Sequence, residues 1–207
     1  MYWIHGKYTS IRTMEESDAA NLVEWRNRPE AARWLVQWEP LTVNEHLNWF
    51  QQARERGLLL VFDDRKTQAA FGGSNFYGFD RKGTSAEWLG LLSDGKPSGL
   101  VEACYLAHRI LFELLGFTRT YAGTAEPNSS SRRCAEFLGY RQEGLRRSHL
   151  VTPHGTYNVV EYGLLAPEFQ ERSTYLTQFF YGGKGVPEFT EEARSAAPEY
   201  RQRWFNT

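Results

Sequence analysis

The spacing of hydrophobic residues changes several times along the chain, and each change predicts a different element. The segment at residues 8–14 predicts a strand. Apolar residues at helical spacing then predict two helices, which begin near Ser17 and Thr42. Pro29 either ends the first of them or opens another helix, and Gly57 ends the second. Ser17 and Thr42 are residue types that cap helix N-termini.

The pattern predicts strands in the middle of the chain, at residues 58–93, and helices alternating with strands at residues 98–165. Apolar runs at residues 58–64, 69–79 and 85–93, separated by polar turns, predict an antiparallel meander. Helical spacing returns at residues 98–117 and 128–139, and strand patterns occupy residues 118–126, 140–151 and 157–165. This order predicts a single α+β domain, residues 1–166, in which helices flank one twisted mixed sheet.

Residues 167–207 form a C-terminal extension with two weak helical patterns and a Gly-Gly pair at positions 182 and 183. Three roles are open for this segment: it wraps the domain, covers a cleft, or makes a homodimer contact. No feature of its sequence chooses among them.

Composition indicates where the protein is expected to occur and which partners are not expected. The N-terminus has no basic segment followed by an apolar one, and no apolar run is long enough to cross a membrane, so we expect a cytoplasmic protein. The two cysteines, Cys104 and Cys134, give neither a disulfide framework nor metal-ligand spacing, so no metal is expected. A net charge of −1 argues against a nucleic-acid partner.

Aromatic residues are abundant, at 15% of the chain with seven tryptophans. Aromatic side chains line many small-molecule pockets, so some of these are expected in a ligand cleft.

Two predicted helix N-termini carry candidate chemistry. The turn "DGKPS" joins a strand to a helix that starts near Gly99, where unpaired backbone N–H groups and the helix dipole favour an anion such as pyrophosphate. The stretch "EPNSSSRRCAEFLGYRQEG" places Asn128 as the cap of the next helix. Its Asn-Ser-Ser sequon is interpreted as chance, because the chain shows no secretory signal.

Taken together, these stretches resemble the GNAT superfamily of acetyl-CoA-dependent N-acetyltransferases over roughly residues 10–165. The resemblance rests on Glu87, the turn and helix "KPSGLVEA", the segment "ILFELLGF", and "NSSSRR" followed by "EFLGYRQEGLRR". Within the superfamily the chain is most similar to ribosomal-protein N-terminal acetyltransferases and to pseudaminic-type amino-sugar N-acetyltransferases. The resemblance implies acetyl-CoA as co-substrate and a primary amine as acceptor.

The resemblance also implies a set of cofactor-binding residues. A bulge in the strand that carries Glu87 would free a backbone N–H near Leu91 or Leu92, and Asn128 would start a helix beside the pantetheine arm. The residues implied to bind acetyl-CoA are Leu91, Leu92, Ser93, Lys96, Ser98, Gly99, Leu100, Asn128, Ser131 and Arg132.

The chain departs from the family pattern at two positions. Ser98-Gly99-Leu100 stands where the phosphate turn usually has more glycine, and Lys96 replaces the usual arginine. Ala135 stands where many members have the tyrosine that protonates the leaving thiolate.

On the acceptor side, the segments "LVEWRNRPE" and "NEHLNWF" are similar to the wall of the acceptor cleft in the amino-sugar group. Trp25, Arg26 and His46 are therefore the candidates for acceptor binding. Glu87 is the first candidate for the general base and His46 the second, because an amine must lose a proton before or during its attack.

Several acceptors remain open. The arginines at positions 26, 28 and 33 favour an anionic acceptor, so a nucleotide-linked amino sugar ranks first and a protein N-terminus second. An aminoglycoside or polyamine would favour an acidic cleft. The departures at the turn and at Ala135 are also what a non-catalytic acyl-CoA-binding module would show.

Overall fold

The computed structural model describes residues 1–77, 84–94 and 99–205. Its strands are β1 (Tyr2–His5), β2 (Thr9–Thr13), β3 (Leu58–Asp64), β4 (Ala70–Tyr77), β5 (Ser85–Ser93), β6 (Arg119–Ala125), β7 (Arg141–Thr152) and β8 (Gly155–Leu165). Its α-helices are α1 (Ala19–Asn27), α2 (Pro29–Ala32), α3 (Val43–Ala53), α4 (Leu100–Arg109), α5 (Ser129–Leu138), α6 (Ala166–Tyr181) and α7 (Glu191–Phe205). A 3-10 turn at Glu16–Asp18 precedes α1, and a π-helical turn at Ile110–Leu114 continues α4.

All eight strands form one sheet in the order β1-β2-β3-β4-β5-β6-β8-β7. Neighbouring strands are antiparallel except β5 and β6, which are parallel. The predicted α+β domain with one mixed sheet is therefore confirmed.

Strand β3 shows how the sheet separates two cores. Its residues Leu58, Leu60 and Phe62 pack into the main core with α4, α5 and α6, whereas Leu59 and Val61 pack into a second core with α1 and α3. A strand that is buried on both faces needs an unbroken apolar run, which is why this segment shows no alternation.

Local capping sets the starts of two helices as the sequence predicts. The Thr42 hydroxyl accepts a hydrogen bond from the Glu45 backbone N–H at 3.2 Å, and the Glu45 carboxylate reaches back to the Thr42 N–H at 2.8 Å. The Asn128 side chain caps α5, and Gly139 ends it with φ of 101°. Ser17, by contrast, lies inside the 3-10 turn, and α1 begins at Ala19 without a side-chain cap.

The N-terminal strand β1 was not predicted from the sequence. It is four residues long, and Trp3 and Ile4 are both fully buried, so its pattern lacks alternation. It is covered by the C-terminal extension, where Ile4 forms a β-bridge with Phe189 and the Trp3 ring lies 4.9 Å from the ring of Tyr200. Contacts across almost the whole chain therefore define this strand.

The extension packs on the domain through both of its helices. Helix α6 contributes Phe169, Leu176 and Phe180 to the main core, and α7 contributes the buried Ala193 and Ala197. Within the described part of the chain, the helices are too short or too polar to cross a membrane.

Candidate active site

The sheet splits between its two parallel strands. Strands β5 and β6 pair from Ser85–Arg119 to Glu87–Tyr121, and the described pairing stops there although both strands continue. Because the strands are parallel, the split opens at the carboxyl ends of both, where ligands commonly bind in open sheets.

A bulge in β5 lies beside this split. On β4, Gly73 pairs with Leu92 and Asn75 with Leu89, so Gly90 and Leu91 together lie opposite the single residue Ser74. Gly90 has φ of 63°, a left-handed conformation that glycine adopts without steric cost. The expected bulge therefore lies at Gly90 and Leu91.

Two helix N-termini are at the same end of the sheet as the split, because α4 follows β5 and α5 follows β6. Gly99 precedes α4 with φ of 89°, and Leu100 is the first helical residue. The Asn128 side chain accepts a hydrogen bond from the Ser131 backbone N–H at 3.2 Å. The remaining N–H groups of these first turns have no helical partner and can bind an anion.

The other predicted cofactor residues have varied positions. Leu91, in the bulge, and Leu92 and Ser93, which follow it on β5, are half-buried. The Arg132 side chain donates hydrogen bonds to the Tyr162 hydroxyl at 3.1 Å and to the Glu126 carbonyl at 3.2 Å. Lys96 and Ser98 lie outside the described residues.

A pocket of about 220 Å³ lies on the α1 and α3 side of the sheet, directly at the bulge. Its wall is mainly apolar and includes a few polar side chains. The lining residues are Met14, Leu22, Arg26, Leu35, Gln37, Leu41, His46, Trp49, Gly73, Asn75, Gly90 and Leu92.

Of the three predicted acceptor residues, Arg26 and His46 line this pocket and Trp25 does not. Trp25 is 5% exposed and packs in the second core. The Arg26 guanidinium donates to the carbonyls of Glu39, at 3.0 Å, and Gln37. Arg26 therefore fastens the loop between α2 and α3, which supplies three pocket residues.

Burial and neighbouring charges shift the pKa values of the two base candidates in opposite directions. Burial raises the pKa of Glu87, and the nearby carboxylate of Glu161 raises it further, against a smaller opposing effect of Arg146. Burial and the positive charge of Arg26 lower the pKa of His46, so its imidazole is neutral at pH 7.

The two base candidates are linked by aromatic side chains. The His46 ring lies 4.9 Å from that of Trp49, which lies 6.5 Å from that of Tyr77, and Tyr77 pairs with Glu87 across β4 and β5. Glu87 therefore lies on the same side of the sheet as the pocket, beyond Tyr77.

No replacement for the missing thiolate-protonating tyrosine is identified in the described residues. Ala135 is 3% exposed and packs in the main core, so that position holds no proton donor.

Sequence reasoning missed Asn75, Trp49 and Gly90. For Asn75 a signal existed: in "GGSNFYG" it is a polar residue on a strand, two positions after a pair of glycines. The pocket itself depends on the distance between the sheet and the helices, which the sequence pattern does not contain.

A sheet split at parallel strands, a bulge beside the split and two adjacent helix N-termini are the features of a fold suited to an extended, anionic ligand. The family model for the Acetyltransferase (GNAT) domain matches residues 9–141, from β2 to the start of β7. The chain therefore belongs to the GNAT acetyltransferase family and is an acetyltransferase.

Solved structures share the fold at low sequence identity. A GCN5-related N-acetyltransferase from Brucella melitensis is 21% identical with a TM-score of 0.67, covering 93% of this chain and 94% of that one. Spermidine N-acetyltransferase from Vibrio cholerae, in complex with CoA and spermine, is 15% identical with a TM-score of 0.72 (80% and 99% coverage). Apo FdhC, a nucleotide-linked sugar GNAT, is 16% identical with a TM-score of 0.69 (86% and 98% coverage). A search of curated proteins finds no match.

Proposed function

We propose that the protein transfers the acetyl group of acetyl-CoA to a primary amine on a nucleotide-linked amino sugar. The observation that carries this proposal is the position of the bulge. Gly90 belongs both to the bulged strand beside the split and to the wall of the acceptor pocket. An acyl group held in the split would therefore face an amine held in the pocket.

In this proposal the pyrophosphate of acetyl-CoA binds at the first turn of α4, where Gly99 and Leu100 supply backbone N–H groups, together with Lys96 and Ser98, which precede them in the sequence. The pantetheine arm lies in the split, between Leu91, Leu92 and Ser93 on one side and the start of α5 with Asn128, Ser131 and Arg132 on the other. Unpaired N–H groups at helix N-termini and the local dipole favour the phosphate charges.

The chemical step is a direct transfer. The lone pair of a neutral amine attacks the thioester carbon, a C–N bond forms, the C–S bond breaks, and the thiolate leaves with the bonding electron pair. A backbone N–H at the bulge donates to the oxyanion of the intermediate, a contribution of about 3 kcal/mol in other enzymes. Glu87 accepts the proton that the amine loses, directly or through water, with His46 as the second candidate.

The pocket wall argues for the sugar acceptor over a polyamine. Among the described lining residues there is an arginine and a histidine but no carboxylate. Burial, and after it the positive charge of Arg26, lowers the pKa of His46, and a positive charge in the pocket wall disfavours a polycation. The fold similarity to a nucleotide-linked sugar GNAT is consistent with this choice. The fold is also similar to that of a spermidine acetyltransferase, so the test includes polyamines as acceptors.

The size of the pocket fits a small amine-bearing group. Its volume of about 220 Å³ is below the usual range for a drug-sized ligand, so the nucleotide part would lie outside it.

The test is thiol release from acetyl-CoA with a panel of amines that includes UDP-linked 4-amino sugars, short peptides and polyamines. We expect turnover with the nucleotide-linked amino sugars and little with the polyamines. Turnover restricted to peptides or to polyamines would contradict the amino-sugar proposal and identify that class as the acceptor. A protein that is stabilised thermally by acetyl-CoA but releases no thiol with any amine would support a non-catalytic acyl-CoA-binding module.

A further inference from the structure

Two buried polar atoms on β4 have no hydrogen-bond partner in the described structure. They are the side-chain carbonyl oxygen of Asn75 and the hydroxyl oxygen of Tyr77. Leaving such a group unpaired lowers stability, and most buried polar atoms in native proteins are paired. An unpaired atom in a ligand pocket is explained if the ligand is its partner.

The position of Asn75 satisfies this condition. Asn75 lines the pocket, and a Cβ placed on Gly90 would lie 2.8 Å from its side-chain nitrogen. The glycine at the bulge therefore leaves the space in which the Asn75 amide lies. The amide is thus next to the bulge at which the acyl group is expected.

Tyr77 extends this arrangement along the strand. Residues two apart on a strand share a face, so Tyr77 and Asn75 point to the same side, and Tyr77 pairs with Glu87 on β5. Burial raises the pKa of Tyr77, so its hydroxyl keeps its proton and can donate. Asn75, Tyr77 and Glu87 thus form a row from the bulge to the first base candidate.

We propose that the Asn75 side-chain oxygen accepts a hydrogen bond from the acceptor's amino group and orients its lone pair toward the thioester carbon. This inference rests on the proposed function. An attacking neutral amine keeps N–H bonds that it can donate, and an amide oxygen accepts such a bond without taking the proton. Asn75 therefore orients the nucleophile while Glu87 or His46 remains the base.

The test replaces Asn75 by leucine, which has a similar branched shape and no polar atoms. We expect kcat/KM for the acceptor amine to fall about tenfold or more, with the Kd of acetyl-CoA unchanged. The melting temperature should stay equal or rise, because an unpaired buried oxygen has been removed. A purely structural role would instead lower the melting temperature.

Matched variants make the result specific. Asn48→Leu places the same side chain at an exposed position of α3 and should leave both substrates unaffected. If Asn75→Leu does not fold, Asn75→Ala provides the same comparison.

Wild-type kcat/KM retained in the Asn75 variant would overturn the inference. An equal loss of binding affinity for acetyl-CoA and for the amine would also overturn it. Calorimetric binding of the amine separates this inference from the proposed function. An amine that binds the wild type without turnover, and binds the Asn75 variant more weakly, supports the role of Asn75 but contradicts the transfer reaction. If no amine in the panel binds or reacts, both are overturned.

Discussion

Glu87 lies in an environment that suits a base better than a surface carboxylate. It is half-buried, and the Glu161 carboxylate beside it disfavours a second negative charge. Arg146 offsets this effect only partly, because its guanidinium bonds to Glu161 at 2.5 Å. A base whose pKa approaches the working pH is the more effective catalyst.

Glu87→Gln should lower kcat about 100-fold or more and leave the KM of acetyl-CoA nearly unchanged. The pH profile gives the second readout. Wild-type activity should fall as the pH drops through the raised pKa of Glu87, and the variant should lack this acid limb.

The stability of the same variant provides a control. Because the folded-state pKa of Glu87 is raised, the folded state binds the proton more tightly, and ionisation above the unfolded-state pKa lowers stability. At neutral pH the glutamine variant should therefore be as stable as the wild type or more so. Full activity at neutral pH would remove Glu87 from the mechanism.

At the scale of elements, the β5 bulge borders both the split and the pocket, so both proposed substrate sites depend on it. The bulge has a positive φ at Gly90. The space that a side chain of residue 90 would need is occupied by the Asn75 amide. Any side chain at this position both strains the backbone and displaces the amide.

Gly90→Ala should lower the free energy of unfolding by about 1–2 kcal/mol and also reduce kcat/KM for the acceptor. Gly182→Ala is the matched control, because Gly182 has φ of 61° but no atom within 4 Å of an added Cβ. The control should lose stability and keep activity. Thermal melts and steady-state kinetics of the two variants check this, and equal activity in both would argue against the bulge as a catalytic element.

Most elements could be predicted from the sequence because their patterns are local. Strand β3 coincides with the apolar run predicted at residues 58–64. Helices α3 and α5 begin directly after the predicted caps Thr42 and Asn128. The insertion of β8 between β6 and β7 depends on pairing between distant segments, which periodicity does not specify.

The candidate site was predictable only where the resemblance named residues. The resemblance named Arg26, His46 and Trp25 as acceptor residues. Arg26 and His46 line the same pocket, but the Arg26 guanidinium is bonded to a loop carbonyl and Trp25 packs in the second core. The unpaired oxygen of Asn75 is a property of tertiary packing and has no counterpart in the sequence.

At the scale of the whole molecule, Glu102 connects the C-terminal extension to the start of α4. Its fully buried carboxylate accepts hydrogen bonds from the backbone N–H groups of Lys7, Tyr8 and Thr9 and from the Tyr181 hydroxyl at 2.7 Å. The N-terminal hairpin, the first turn of α4 and the end of α6 therefore meet at one side chain.

Tyr181→Phe should lower the free energy of unfolding by about 1.5–3 kcal/mol, the usual range for a hydrogen bond to a charged group. Tyr175→Phe is the control, because the Tyr175 ring is 50% exposed on the same helix. Chemical denaturation of both variants gives the comparison. Equal stability of the two would mean that the extension is not held through Glu102.

The split between β5 and β6 has a further consequence. The helix N-termini lie on the face of the sheet that carries the main core, and the acceptor pocket lies on the opposite face. The two substrates would therefore approach from opposite sides and meet only at the opening. Under the proposed function neither substrate would block the path of the other, so we expect no fixed order of binding. The acceptor side could also change its specificity in evolution while the helices around the cofactor stay the same.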